Sequence, residues 1–148
     1  MRFGELLKRF REEWHFTLRD LGKLSDIDHA YIYRLETGDK ATPSDDTVKA
    51  LTKALKLDSR KAHILKFLVG QSAPGGLVEI VLDDPEHDLA DFASVTAMSH
   101  RAPRGKTRED WRRLLAMVRA TREECEKETT PECRPHTHGH NSLTKEVP

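Results

Sequence analysis

The sequence predicts an all-α protein: two helical domains at 1–70 and 77–126, a short linker at 71–76, and a polar tail at 127–148. Three observations predict it. Apolar residues recur at spacings of three and four through nearly every segment of the first 126 residues. Ser, Thr or Asp stands directly ahead of most of these segments, where a side-chain oxygen can take up the unpaired N–H groups of a first helical turn. Pro stands between the segments and not within them.

Residues 3–14 read as an amphipathic helix, with Phe3, Leu6, Leu7, Phe10 and Trp14 on one face and Lys8, Arg9, Arg11, Glu12 and Glu13 on the other. Thr17 is the next N-cap, with Asp20 three residues on as a short capping box. That helix runs to about Leu24, with Leu18, Leu21 and Leu24 repeating every three residues. Ser25-Asp26-Ile27 reads as a tight turn. Asp28 caps a short helix through Glu36, which Thr37-Gly38 ends because glycine takes the left-handed conformation cheaply. Two short helices joined by a three-residue turn make a helix-turn-helix.

Behind a loop with Pro43, Ser44 caps a fourth helix from about Asp45 to Leu55, with Val48, Leu51 and Leu55 inward. Asp58 or Ser59 caps a fifth, ending near Val69, with Ala62, Leu65 and Leu68 or Val69 inward. Gly70 to Gly76 is a flexible connector by composition. Leu77 to Leu82 is ambiguous: Val78, Ile80 and Val81 suit a strand, and its shortness leaves helix open. Asp88 to Met98 aligns Leu89, Phe92, Val95 and Met98. After a break at 102–106, Thr107 caps a long helix to about Glu126 with Trp111, Leu114, Leu115 and Val118 on one face. From Lys127 onward the chain is polar and predicted disordered.

Composition narrows the function. Hydrophobic residues make up 36% and charged residues 34%. No apolar run approaches the ~20 residues a membrane helix needs, and Glu5, Lys8 and Arg9 interrupt any signal-like stretch. A cytoplasmic protein without a membrane partner is expected. Cys125 and Cys133 make no disulfide framework and read as reduced thiols. The net charge is zero, but residues 1–70 hold 14 Lys/Arg against 11 Asp/Glu, and that mildly basic half suits an anionic partner.

Thr17-Leu18-Arg19-Asp20-Leu21-Gly22, then Ile27-Asp28-His29-Ala30-Tyr31-Ile32-Tyr33-Arg34-Leu35-Glu36-Thr37-Gly38, then Thr42-Pro43-Ser44 and Thr47-Val48 resembles the Cro/phage-repressor (xenobiotic-response-element) helix-turn-helix family. The resemblance implies a five-helix, lambda-repressor-like DNA-binding domain whose 28–36 helix enters the major groove. By position, His29, Ala30, Tyr31 and Arg34 then face base edges, and Tyr33 lies near the DNA backbone. The helix starts at Thr17 and Ser44, and Lys40 in the loop, are the phosphate candidates. Tyr31 either reads a base or packs on its neighbours; Arg34 either meets a guanine edge or forms a surface ion pair. Gly22 lets the two helices approach closely. Arg11 and Glu36 match a pair that tethers the first helix to the third. The sequence departs from the family at Leu18, often Gln, and at Asp26, usually Gly.

Residues 76–120 resemble the C-terminal domain of repressors such as the DNA-damage-response repressor of radiation-resistant bacteria and related mobile-element repressors. The matching residues are Gly76-Leu77, Leu82, Asp84-Pro85, Arg104-Gly105-Lys106 and Asp110-Trp111 with Leu114, Leu115 and Val118. This resemblance tips 77–82 toward helix. It implies a homodimer formed by the C-terminal helices, and a zinc metalloprotease partner cutting near 101–106. The faces Leu89, Phe92, Val95, Met98 and Trp111, Leu114, Leu115, Val118 either bury each other within one chain or form the dimerisation surface. The second is expected, because a unit of about 45 residues is marginal alone.

His136, His138 and His140 near Cys133 do not match a structural zinc site, so no metal and no cofactor is expected. No nucleophile motif or phosphate loop appears, and the acidic run around Pro85 reads as solvated surface, so no catalytic residues and no enzyme are expected. The expected function is a dimeric, DNA-binding transcriptional repressor on a palindromic operator. The alternatives are an antitoxin that buries a toxin surface, and a protein-interaction adaptor on the same scaffold.

Overall fold

The computed structural model describes residues 1–39, 42–99 and 107–128, and among them there are helices and no strand. In order they are α1 (Phe3–Glu13), α2 (Leu18–Ser25), α3 (His29–Thr37), α4 (Asp45–Ala54), α5 (Ser59–Phe67), α6 (Gly75–Asp83), α7 (Leu89–Ser99) and α8 (Arg108–Glu128). The ambiguous stretch 77–82 is helical. Four of its six residues are buried, which a helix lying between two layers achieves and a lone strand without a pairing partner does not.

Capping residues set most helix starts. The Thr17, Ser44 and Asp58 side chains accept from the N–H groups of Asp20, Thr47 and Lys61, at 3.2, 3.2 and 2.8 Å. Thr107 accepts from Asp110 N–H at 3.2 Å. Three carboxylates at helix starts sit below their ordinary pKa. Glu5 and Asp20 take hydrogen bonds from the residue capping their own helix. Asp88 accepts Ala90 N–H ahead of α7 and then Arg122. A depressed folded pKa contributes stability that is complete above the unfolded value and lost as pH falls through the folded one. The melting temperature is therefore expected to drop as pH falls below about 4. Asp88→Asn should flatten that slope in a thermal melt series; an unchanged slope would remove Asp88 from the account.

The core is one continuous cluster. Phe3, Leu6, Leu7 and Phe10 of α1 meet Leu21, Ile32, Leu35, Leu51, Ile64 and Leu65, and this group runs on through Leu77, Val78, Ile80 and Val81 to Phe92, Val95, Trp111 and Leu115. Burying each of the larger side chains stabilises by about 1.5–3 kcal/mol. Three expected inward residues are exposed, one of them Met98 near the end of α7 at 57%. Trp14 is 48% exposed and stacks on Phe16 at 6.3 Å, because α1 ends there and the chain turns through His15 at φ 53°. Leu24 is 56% exposed, since a period of three drifts off the face that Leu21 holds.

The linker expected at 71–76 is no free tether. Ala73 is buried and its N–H donates to the Met1 carbonyl at 3.0 Å, Arg2 and Ser72 form an antiparallel bridge, and α6 already begins at Gly75. The cause is α6, whose apolar residues find cover on α5 as well as on α7 and α8. Phe67 of α5 meets Phe92 of α7 at 4.9 Å between ring centroids.

Leu89, Phe92, Val95, Trp111, Leu114, Leu115 and Val118, expected as a surface between copies, all have cover within this chain. Phe92, Val95, Trp111 and Leu115 are buried in this chain, and Leu89, Leu114 and Val118 pack against the same core. α8 carries through Glu128, two residues into the tail expected from 127. The rest of the tail, with Cys133, His136, His138 and His140, lies outside the described residues, as does the 101–106 connector.

One side chain joins the two halves that sequence reasoning missed. Arg60 of α5 donates to the carbonyls of Val81 at 2.8 Å, Asp84 at 3.0 Å, Pro85 at 3.2 Å and also His87. A guanidinium thus covers the open C-terminal end of α6, where unpaired carbonyls and the helix dipole favour a cation. Arg60→Ala is expected to cost about 1.5–3 kcal/mol, read as a lower urea midpoint at unchanged slope. A midpoint equal to the wild type would mean water replaces the guanidinium without loss.

Candidate nucleic-acid interface

The interface begins with how tightly α2 and α3 approach. A Cβ on Gly22 would sit 2.8 Å from the Ile27 carbonyl oxygen and 3.5 Å from His29 Cβ, so only glycine fits without a shift. The Ser25 hydroxyl donates to the Leu21 carbonyl at 2.7 Å, and Asp26 ends the helix in the left-handed region at φ 57°, ψ 36°. The turn thus keeps the backbone that glycine usually supplies; Asp is among the side chains that tolerate it. The Asp28 carboxylate accepts the N–H groups of Ala30 at 2.6 Å and Tyr31 at 3.3 Å. That use turns an acidic residue at the start of α3 into its cap.

Ile32 and Leu35 are fully buried and hold α3 down. The opposite side presents Ala30, Tyr33, Arg34 and Thr37, all exposed, at helical spacings i, i+3, i+4 and i+7. His29 is exposed at the near end of this stripe. Tyr33, expected at the backbone edge, lies within the stripe and is 53% exposed. Thr37 was not singled out from the sequence, although its spacing from Ala30 and Tyr33 signals it. Tyr31 is half-buried and packs on the core, its ring 5.9 Å beneath the Arg34 guanidinium. Among the described residues Arg34 forms no ion pair with a carboxylate, which leaves its fork of donors facing outward.

Two tethers place α3 relative to α1. Arg11 grips Glu36 with two hydrogen bonds, at 2.7 and 2.8 Å, and gives a third to the Phe16 carbonyl at 2.8 Å. The Glu36 side chain is only 5% exposed. Its hydrogen bonds raise the Arg11 pKa above the ordinary value. Gly4 of α1 lies directly on the backbone of Leu35 and Glu36.

The phosphate candidates divide. The Thr17 hydroxyl is committed to the Asp20 carboxylate at 2.6 Å, so any phosphate at this end is left to backbone N–H groups and to exposed Arg19. Ser44 caps Thr47, but Asp45 and Asp46 stand in the same turn, and each is only loosely met by Lys66 and Lys49, at 3.5 and 3.4 Å. Those carboxylates oppose an incoming phosphate, and Ser44 is the weaker candidate. Lys40 lies outside the described residues. The structure thus brings His29, Ala30, Tyr33 and Arg34 onto one side of α3, with Thr37 added and Tyr31 turned beneath.

Residues 2–63 match a family described as a helix-turn-helix domain. Over 55 residues the chain is 40% identical to the HTH-type transcriptional repressor RghR of Bacillus subtilis (strain 168). That similarity covers 37% of this chain and 41% of the relative, so the chain spans about two fifths of the curated relative it matches.

Proposed function

We propose, starting from the helix-turn-helix domain that residues 2–63 form, that this chain is a sequence-specific DNA-binding transcriptional repressor. The observation that carries the reading is the exposed stripe Ala30, Tyr33, Arg34 and Thr37 on a helix whose other side is pinned by Ile32, Leu35 and the Arg11–Glu36 pair. A major groove admits one helix, and a planar guanidinium with uncommitted donors fits the O6 and N7 of guanine. The repressor named above supports the regulatory sense. No described helix is long and apolar enough to cross a membrane. A single α3 covers half of a two-fold site, so two copies acting on a palindrome complete the reading.

The test is selection of genomic fragments on the full chain, followed by salt titration of the best one. Binding should weaken steeply with salt through counterion release. Arg34→Ala should weaken the selected site about 10–100-fold and relax preference at one base pair. Arg19→Ala should weaken all sequences alike and lower the salt slope by about one. No fragment enriched at low salt would sink the proposal.

A further inference from the structure

We infer that the outward face of α8 docks a second copy of this chain in antiparallel orientation, with Arg113 of each copy against Glu124 of the other. The inference rests on the two-copy reading above. The helix has two faces of identical spacing. Trp111, Leu115, Val118 and Arg122 look inward; Arg113, Met117, Ala120 and Glu124 follow the same i, i+4, i+7, i+11 pattern on the opposite side and are all exposed. Met117 is 64% exposed.

The charges on this helix single out the same pair. Arg108 binds Asp83, Arg112 meets Glu109, Arg119 meets Glu123, and Arg122 binds Asp88 and Asp91. Asp110 takes the N–H and hydroxyl of Thr107. Among the described side chains of α8, Arg113 and Glu124 take no partner within the chain. They lie 11 residues apart, about 16 Å along the axis at ~1.5 Å per residue.

Reversing the helix about the midpoint between Val118 and Arg119 exchanges Arg113 with Glu124 and Met117 with Ala120. A two-fold axis there sets cation against carboxylate at both ends and a long flexible side chain against a small one at both inner positions. Parallel pairing sets like against like and is disfavoured. This seam is distinct from the apolar faces of α7 and α8, which the chain's own core occupies. One helix per copy makes a small interface, so association is expected to be weak, on the order of micromolar, and strengthened when both copies sit on one DNA.

Sedimentation of the full chain across micromolar concentrations tests it. The wild type should be a reversible dimer. Arg113→Glu and Glu124→Arg should each raise the dimer dissociation constant about 10-fold or more, and the double exchange should restore it. Circular dichroism of each variant should stay at wild-type helicity, since both positions are exposed. A dimer that both single exchanges leave intact would overturn this surface while sparing the two-copy reading. A chain monomeric both alone and on a palindromic DNA would overturn the two together. Half-site binding by Arg113→Glu, with its salt slope kept, separates either outcome from a failure of DNA recognition.

Discussion

Gly4→Ala is expected to be among the most damaging single substitutions in the protein. An added Cβ would sit 2.1 Å from the Leu35 carbonyl oxygen, 2.8 Å from that of Glu36 and 3.0 Å from Glu36 Cα. All three atoms are backbone, so no side chain can swing aside. Either α1 lifts from α3 or the first turn of α1 distorts, and Phe3, Leu6 and Leu7 lose contact together. Overpacking costs about 1–3 kcal/mol where side chains adjust, and a clash between backbones belongs at the upper end or beyond. For a chain of this size that is a fall in melting temperature of about 6–12 °C. Gly75→Ala is the control, because nothing lies within 4 Å of a Cβ there. A Gly4→Ala protein melting within about 2 °C of the wild type would show that α1 and α3 can slide freely, and with it that α1 does not set the height of α3.

The second large effect is expected from Arg11→Ala. The side chain removed makes two hydrogen bonds to Glu36 and one to the Phe16 carbonyl, and it leaves behind a carboxylate 5% exposed. Breaking a buried pair from one side costs about 3–5 kcal/mol, because the remaining charge has no water and no partner. The combined Arg11→Met and Glu36→Leu exchange should cost far less, since no buried charge remains. Urea unfolding of the two single and one double variant measures the coupling. The pH response identifies the cause. A buried, unpaired Glu36 has its folded pKa raised, so its penalty is felt above the unfolded value and relieved on acidification. The Arg11→Ala protein should recover part of its lost stability between pH 7 and about pH 5. A loss independent of pH would mean that packing of the arginine stem, not its charge, is what α3 depends on.

Much of this fold is written in short-range chemistry, and those parts were legible. Thr17, Asp28, Ser44, Asp58 and Thr107 announce helix starts because a side-chain oxygen can satisfy an N–H two or three residues on, whatever the rest of the chain does. Gly38 at φ 87° ends α3 for an equally local reason. The exposed side of α3 was largely legible too, since it is the complement of Ile32 and Leu35 on a helix of known period. Thr37 escaped because the helix was ended one residue early. Tyr31 is ambiguous because a tyrosine beside a buried face can lie down or stand out; here it is half-buried, with the Arg34 guanidinium over its ring.

What the sequence by itself determined is the set of helices, their caps and the face each one buries, because those depend on contacts three or four residues away. Only the tertiary structure decided what each face is buried against. Apolar periodicity says that Phe92, Trp111 and Leu115 want cover, and is silent on whether a second copy or α6 supplies it. It is silent too on Gly70 to Gly76, where flexible composition was overruled by a buried Ala73 and by the reach of Arg60 across the junction. Those contacts join residues more than twenty positions apart. Their existence depends on where whole helices come to rest, which no local rule carries.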